Sequence, residues 1–111
     1  MNAAAQTTPK LVIVAYKPKP GCEAALLRLT REHVPILRRE GLATDHPVTI
    51  CRAADGTLLE VFEWAPGGIE RAHSNPVVNG LWHDYAAVCT YVPLNTLAES
   101  AEMFATFTPI A

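Results

Sequence analysis

A β-hairpin near the middle of the chain is the feature that most constrains the fold. Two β-rich runs, residues 48–53 and 57–64, are joined through Asp55-Gly56, a pair that readily adopts the positive φ angles of a tight turn. If the loop consists of those two residues alone, the residue numbers of each pair that faces across the hairpin add up to 111. The sequence therefore predicts two antiparallel strands in a defined register.

Glu60 is the unusual residue of this hairpin. The predicted register places it opposite Cys51, and strand alternation places it on one face with Leu58, Phe62 and Trp64. Burying an unpaired carboxylate is costly, so Glu60 needs a partner or a wet cavity. A structural salt bridge, or a position at an exposed edge, is the alternative interpretation.

A turn at residues 65–68 leads from the hairpin into a short helical stretch, residues 69–73. Ser74 and Asn75 then provide an N-cap candidate, with Pro76 at the first position of a longer helix. Apolar residues recur beyond it at three- and four-residue spacing, which predicts one buried stripe. The stripe consists of Val78, Leu81, Trp82, Tyr85, Cys89 and Val92.

The first half of the chain predicts a central strand and a long helix. Residues 11–16 (LVIVAY) are apolar at every position, which is typical of a strand covered on both faces. The helix spans residues 23–40 and stops at Gly41. Pro35 removes a backbone donor inside it and predicts a local bend. The apolar arc of this helix consists of Leu26, Leu29, His33, Ile36 and Leu37.

Three of the four histidines have environments that follow from local position. His33 falls within the apolar arc and is predicted to face inward, where a core role is more common than a ligand role. His46 precedes the hairpin in a loop, and His83 lies on the polar face of its helix. Both are predicted to be exposed.

The order of the elements predicts the fold class. Residues 93–102 form a connector, and residues 103–110 form a fourth strand with Pro109 near its edge. Strand, helix, two hairpin strands, helix and strand make the βαββαβ pattern of a ferredoxin-like α+β fold. Its four-stranded antiparallel sheet has two helices on one face and the first and third strands in the centre. This single domain spans residues 10–111, after a flexible tail of residues 1–9.

The two central strands carry apolar residues on both faces, as in the neighbours Leu11 and Val12 or Leu59 and Phe62. Two helices can cover only one face of the sheet. The other face needs a partner, and a second copy of the chain is the most economical one. The sequence therefore predicts a homodimer.

Composition argues against several classes of partner. Half of the residues are apolar and the net charge is −2, so no basic surface for nucleic acid is expected. No apolar run reaches the length of a membrane span, and the N-terminus lacks the architecture of a signal peptide. Three cysteines without metal-type spacing favour reduced thiols. Together these features predict a cytoplasmic protein that does not bind membranes.

The element order and the run EVFEW…IERAHSNPVV resemble the dimeric α/β-barrel superfamily, in particular its small antibiotic-biosynthesis-monooxygenase-like proteins. The shared features are a strand that ends in an aromatic residue, a helix that carries alanine-histidine, and a proline after it. The resemblance covers about residues 10–110. It implies that two sheets close into a barrel in the dimer, and that each monomer keeps a pocket between its own sheet and helices.

The resemblance also implies a site and a reaction. It makes His73 and Glu60 the catalytic candidates, with an inward-facing His73 as the base and Glu60 orienting it if the two side chains touch. The implied reaction is oxidation of a small aromatic or quinol-like compound by O₂ without flavin or metal, in which the base removes a phenolic proton inside a dry pocket. The expected substrate-binding residues are His33, Trp64, Trp82, Phe62 and Tyr85.

Other interpretations stay open. Haem-degrading relatives use an asparagine on the first strand, which LVIVAYKP lacks, so neither haem nor another cofactor is expected. A metal site built from His33, His73 and Glu60 is not demanded by their spacing, and none is predicted. Two further hypotheses are a ligand-binding module without chemistry and a fold whose histidines are structural.

Overall fold

A computed structural model of the chain describes residues 8–110, which fold into a five-stranded antiparallel sheet with three helices. The strands are β1 (Lys10–Pro18), β2 (Thr49–Arg52), β3 (Leu58–Trp64), β4 (Cys89–Val92) and β5 (Thr108–Pro109). The helices are α1 (Glu23–Arg39), α2 (Gly68–His73) and α3 (Pro76–Val88), and two 3₁₀ turns follow β4 at Leu94–Thr96 and Ala98–Ala101. The strand order β4-β1-β3-β2-β5 confirms the α+β class and is compatible with a ferredoxin-like fold.

The β1–β3 ladder forms the centre of the sheet, as predicted. Val14 of β1 lies opposite Glu60 of β3, so side chains at even positions of both strands point toward the helices. Tyr16 is thereby placed on the same face as Glu60, two residues along β1. On the opposite face, Leu11 and Ile13 are 57% and 47% exposed.

Helices α1 and α3 cover the inner face; α1 begins and ends near the predicted positions, whereas α3 begins at Pro76 as predicted but ends at Val88, before the end of the predicted stripe. The α1 helix continues through Pro35 without interruption, and Gly41 beyond its end adopts a left-handed φ of 75°. At the start of α3, the Asn75 side chain accepts hydrogen bonds from two backbone N–H groups of the first turn. The fully buried side chains of the two helices include Leu26, Val34 and Leu37 of α1 and Val78 and Tyr85 of α3.

The predicted register of the hairpin is wrong by one residue. Ala53 and Thr57 close the hairpin through the bond from Ala53 N–H to the carbonyl of Thr57, which leaves a loop of residues 54–56. A loop of this kind needs one left-handed residue, and Gly56 supplies it with a φ of 93°. Ile50, not Cys51, therefore lies opposite Glu60 and points toward the helices.

The predicted fourth strand is also corrected. Helix α3 ends at Val88, and the next residues form β4, which pairs with β1 as the Tyr16–Tyr91 alignment shows. The sequence does not predict this strand, because the spacing of Cys89 and Val92 continues the apolar stripe of the helix. Thr90, Tyr91 and Val92 are nevertheless residue types that favour strands. Residues 103–107 lie outside any strand, and Thr108–Pro109 forms the short edge strand β5.

The segment after β4 covers part of the outer face of the sheet. Leu97 is buried in a cluster with Ala15, Ala53 and Leu59. This segment covers the outer face where the sequence suggested a second chain, whereas the end of the sheet that carries Leu11 stays exposed. Within residues 8–110, no helix has the length and apolar character that crossing a bilayer requires.

Candidate active site

Glu60 forms the centre of a buried polar cluster between the sheet and α1. Its side chain has no solvent exposure, because it points from the middle of β3 into the layer that α1 and α3 cover. One carboxylate oxygen, Oε1, accepts a hydrogen bond from the Tyr16 hydroxyl at 2.7 Å. The same oxygen lies 2.9 Å from Nδ1 of His33. The prediction that a mid-strand carboxylate must have a partner is confirmed, and the exposed-edge interpretation is wrong.

The helical phase of α1 brings His33 to this carboxylate. His33 lies on the buried arc of the helix with Thr30, Val34 and Leu37, as predicted. Its ring contacts Phe62 edge to face, with ring centroids 5.4 Å apart. A second edge contact, at 5.3 Å, joins it to Tyr85 of α3. The imidazole is thus fixed between both helices and the sheet.

The hydrogen bonds assign roles to the two rings that meet at Oε1. Burial, and secondarily the charge of Glu60, raise the pKa of Tyr16 far above its usual value, so its hydroxyl remains a donor. With Glu60 ionised, Nδ1 of His33 must also donate, because a carboxylate only accepts. In the neutral ring this tautomer leaves the lone pair on Nε2.

Two polar atoms of the pair remain without partners. Nε2 of His33 and Oε2 of Glu60 are both buried, and neither has a hydrogen-bond partner within residues 8–110. Unsatisfied buried polar atoms are uncommon in folded proteins, and a bound water, an ion, strain or a catalytic role can account for them. Here one is the basic nitrogen of an oriented imidazole and the other is a carboxylate oxygen.

A second set of polar contacts supports the cluster from the side of α3. The Tyr85 ring lies parallel to that of Tyr16, with centroids 4.7 Å apart. The Tyr85 hydroxyl donates a hydrogen bond to Oγ1 of Thr30 at 3.2 Å. Thr30 in turn donates to the carbonyl of Leu26 at 2.9 Å. Burial, followed by the nearby Glu60 charge, raises the pKa of Tyr85 above its usual range.

A groove of about 430 Å³ lies beside the cluster, between α1 and β2. Thr30 and Val34, which line it, are the helical neighbours of His33, and Ile50 lies opposite Glu60 in the β2–β3 ladder. Its volume falls within the roughly 300–1,000 Å³ of small-ligand pockets. The remaining lining residues are Arg31, Pro35, Arg38, Asp45, Pro47, Val48 and Ile110.

The loop that forms one wall of this groove is held by Arg38. Its guanidinium donates from Nε to the carbonyl of Thr44 at 2.8 Å and from Nη2 to that of His46 at 2.7 Å. These bonds fix the chain between α1 and β2. His46 itself is exposed, as predicted, and so is His83 of α3.

The predicted pairing of His73 with Glu60 is wrong. Ala72 takes the buried position at the end of α2, so the adjacent His73 is exposed, contrary to the inward orientation expected for it. The His73 ring lies against Trp82, with centroids 5.1 Å apart. Phe62 and Tyr85 do flank the Glu60 cluster. Trp64 packs behind Phe62, with ring centroids 5.1 Å apart.

Sequence reasoning missed Tyr16 and gave no role to Thr30. Tyr16 ends an apolar run and was treated only as part of a central strand. Its role depends on the β1–β3 register, which no local pattern specifies. Thr30 carried a weak signal, because a hydroxyl beside the apolar arc of α1 needs a bond when it is buried.

The separation of His73 from the cluster also bears on metal binding. The alternative site of His33, His73 and Glu60 is not assembled, and no group of three such ligands within residues 8–110 is placed to hold a metal ion.

Searches of protein-family models, of curated proteins and of solved structures found no match to this chain. The geometry of the Glu60 cluster is therefore the main indication of what the protein does.

Proposed function

We propose that the protein is a small-molecule enzyme whose base is the His33–Glu60 pair. Its substrate is a small aromatic, quinol-like compound that binds between the sheet and the helices. The observation that carries this proposal is the 2.9 Å contact between Nδ1 of His33 and Oε1 of Glu60, combined with the buried, unpartnered Nε2 of the same ring. A base held by a carboxylate through its other nitrogen is a recurrent catalytic arrangement.

The pair suits removal of a phenolic proton. Nε2 accepts the proton, and the carboxylate of Glu60 stabilises the imidazolium that forms. The resulting phenolate is electron-rich enough to reduce O₂ directly. In a substrate with an activated CH₂ carbon, such as anthrone, two C–H bonds are replaced by C=O, one oxygen atom enters the product, the other leaves as water, and the substrate supplies all four electrons. A hydroquinone instead supplies two electrons and two protons and becomes a quinone, while O₂ becomes H₂O₂.

The surroundings of the pair support this chemistry. Phe62 and Tyr85 provide aromatic contacts around His33, and the buried layer excludes water from a reactive phenolate. The groove along α1 offers an apolar approach through Val34, Pro35 and Ile50. Neither His33 nor Glu60 lines this groove, so a substrate that enters there must displace the helical neighbours of His33 to reach Nε2.

A non-catalytic ligand-binding protein is the second candidate. The unpartnered Nε2 and Oε2 would bind a hydroxyl group of a ligand equally well without any reaction. In this case a ligand raises the melting temperature without consuming oxygen. Oxygen uptake therefore separates the two candidates.

We further propose that two copies associate through the exposed end of the sheet. Leu11 and Ile13 are adjacent outward-facing residues of β1 with about half of their surface in solvent. A dimer of this kind fits the barrel that the sequence suggests. The free thiols of Cys22, Cys51 and Cys89 fit a reducing, cytoplasmic location.

An oxygen electrode tests the catalytic proposal with hydroquinone, 1,4-dihydroxynaphthalene and anthrone as probes. We expect the wild-type chain to consume oxygen with at least one probe, and His33→Asn to lower kcat by about 10²–10⁴-fold because the base is lost. His73→Asn is the matched control and retains the wild-type rate, since this exposed ring lies outside the cluster. Loss of activity in His73→Asn, with activity kept in His33→Asn, would contradict the assignment.

A further inference from the structure

The rings of all three tyrosines lie next to one another and join the Glu60 cluster to the surface; this group, called the stack below, has Tyr16 and Tyr85 parallel and Tyr91 tilted against both. Tyr16 and Tyr85 are buried and nearly parallel, with an interplanar angle of 10°. Tyr91 is 48% exposed, and its ring centroid lies 5.5 Å from that of Tyr16 and 6.2 Å from that of Tyr85. A protein core needs no hydroxyl groups for such packing, so the presence of every tyrosine in one stack calls for a chemical explanation.

The fold brings the stack together from distant parts of the sequence. Tyr16 and Tyr91 lie directly opposite each other in the β1–β4 ladder, and Tyr85 is in the last turn of α3 before β4 begins. At the inner end, the hydroxyl of Tyr16 donates to Glu60 at 2.7 Å. The stack therefore has a proton acceptor at its buried end and solvent at its other end.

A phenol that loses an electron becomes a strong acid. Its oxidation is much easier when a base within hydrogen-bond distance takes the proton at the same time. Glu60 occupies that position for Tyr16, and its only other hydrogen-bonding partner within residues 8–110 is His33. Tyr16 is thus the tyrosine best placed to form a neutral radical.

We propose that the stack conducts single-electron oxidising equivalents from the Glu60 cluster to the surface at Tyr91. Their source rests on the proposed function: a bound phenolate that gives one electron to O₂ becomes a phenoxyl radical and releases superoxide, and a second O₂ that adds to a ring carbon of this radical gives a peroxyl radical, a strong one-electron oxidant. Tyr16 gives an electron to the peroxyl radical, which becomes a hydroperoxide anion, and passes its own O–H proton to Glu60. The products are a neutral Tyr16 radical and a protonated Glu60.

The second step moves the radical outward. Tyr91 supplies an electron to Tyr16, directly or through Tyr85, while Glu60 gives the proton back to the Tyr16 oxygen and Tyr91 releases its hydroxyl proton to solvent. A thiol in solution then donates a hydrogen atom to the Tyr91 radical and becomes a thiyl radical. The relay thereby removes a damaging radical from the buried site and restores all three tyrosines.

Flash photolysis of the purified protein tests the relay without any substrate. Tris(bipyridine)ruthenium(II), with a cobalt(III) pentaammine quencher, oxidises exposed side chains, and electron paramagnetic resonance follows the tyrosyl radical. We expect the tyrosyl radical of the wild-type chain to live severalfold longer than that of Tyr16→Phe. In the wild-type chain the radical moves inward to the buried Tyr16, whereas in the variant it stays at the exposed Tyr91. Tyr91→Phe lowers the radical yield, because the entry point from solvent is lost.

Equal radical lifetimes in the wild-type chain and Tyr16→Phe would overturn the relay, as would an unchanged yield in Tyr91→Phe. Deuterated solvent provides a second readout that needs no variant, since the transfer of the Tyr16 proton to Glu60 should slow radical formation at the buried site. An absence of any isotope effect contradicts the proposal. Failure of the relay leaves the oxygen-uptake result unaffected, and failure of oxygen uptake leaves the photochemical result unaffected.

Discussion

At the scale of single residues, the decisive feature is a carboxylate whose two donors share one oxygen. Both Tyr16 and His33 bond Oε1 of Glu60, and Oε2 is left without a partner within the described residues. Removing one hydrogen-bonding partner of a buried polar group typically costs about 1–3 kcal/mol of stability, whereas replacing both partners by apolar groups of the same shape is nearly neutral. A group of this kind is therefore better explained by what it can bind or transfer than by its contribution to folding.

Alkaline pH should reveal the buried acids. Tyr16, whose pKa in the fold lies far above its ordinary 10.0, and Cys89, whose pKa is raised by burial from 9.0 to about 11, stay protonated in the folded chain. The unfolded chain ionises both groups at their ordinary values and then binds fewer protons than the folded chain. We therefore expect the contribution of these two groups to the free energy of unfolding to be constant from pH 7 to about 8.5 and to fall as pH rises above it.

Urea unfolding between pH 7 and 11 measures this loss, and Tyr16→Phe tests its origin. The variant should lose about 1–3 kcal/mol at pH 7, because Glu60 loses a donor. It should also show a shallower decline above pH 10, because one titrating group is gone. Tyr91→Phe, at a half-exposed position, is the control and should stay within about 0.5 kcal/mol of wild type at pH 7. An unchanged alkaline slope in Tyr16→Phe would contradict the argument.

At the scale of secondary-structure elements, patterns with several repeats could be interpreted from the sequence and short ones could not. Helix α1 has enough turns to fix a phase, which placed His33 correctly. Helix α2 has six residues, too few to decide that Ala72 and not His73 faces inward. Strand β4 was misread because the spacing of its apolar ends agrees with a helical period.

The site itself was only half predictable for a related reason. That Glu60 must have a partner follows from its apolar neighbours alone. Which groups supply it depends on how β1 is aligned with β3 and how α1 crosses the sheet. Such long-range geometry leaves no trace in the spacing of nearby residues. Tyr16 was missed for this reason, and His73 was given the role that His33 holds.

Two glycine substitutions test the left-handed conformation of Gly56 in the hairpin loop. Gly56 adopts a φ of 93°, which an L-residue with a side chain rarely adopts, so Gly56→Ala should cost about 1 kcal/mol or more. Gly80 lies within α3, and a Cβ added there meets no atom within 4 Å. Gly80→Ala is the matched change and should stabilise the chain by about 0.5–1 kcal/mol. Thermal unfolding of both variants measures the difference, and equal effects would argue against a left-handed conformation of Gly56.

At the scale of the whole molecule, the outer face of the sheet is covered at one end only. Leu97 and its neighbours cover Ala15 and Leu59, while Leu11 and Ile13 stay exposed. An apolar surface at the uncovered end favours association, although the internal cover makes the available area smaller than a bare sheet would offer.

Light scattering on a sizing column tests the dimer. We expect a mass of twice the 12.0 kDa of the chain, and we expect Ile13→Asp to return a monomer because it places a charge in the contact. Val77→Asp is the matched control, since Val77 is similarly exposed, at 43%, but lies in the first turn of α3. A monomeric wild-type chain at micromolar concentration, or a dimer that survives Ile13→Asp, would exclude this interface.

The position of β1 between β3 and β4 also determines how the chain can fold. The hairpin pairs segments that are close in sequence. The pairing of Tyr16 with Tyr91 joins residues far apart in sequence, and contacts of that kind form slowly. We therefore expect Glu60 to stay hydrated in an early hairpin and to lose its water only when β1 and α1 pack against it. Stopped-flow refolding of Glu60→Gln checks this, because a late-formed site should alter the unfolding rate and leave the folding rate nearly unchanged.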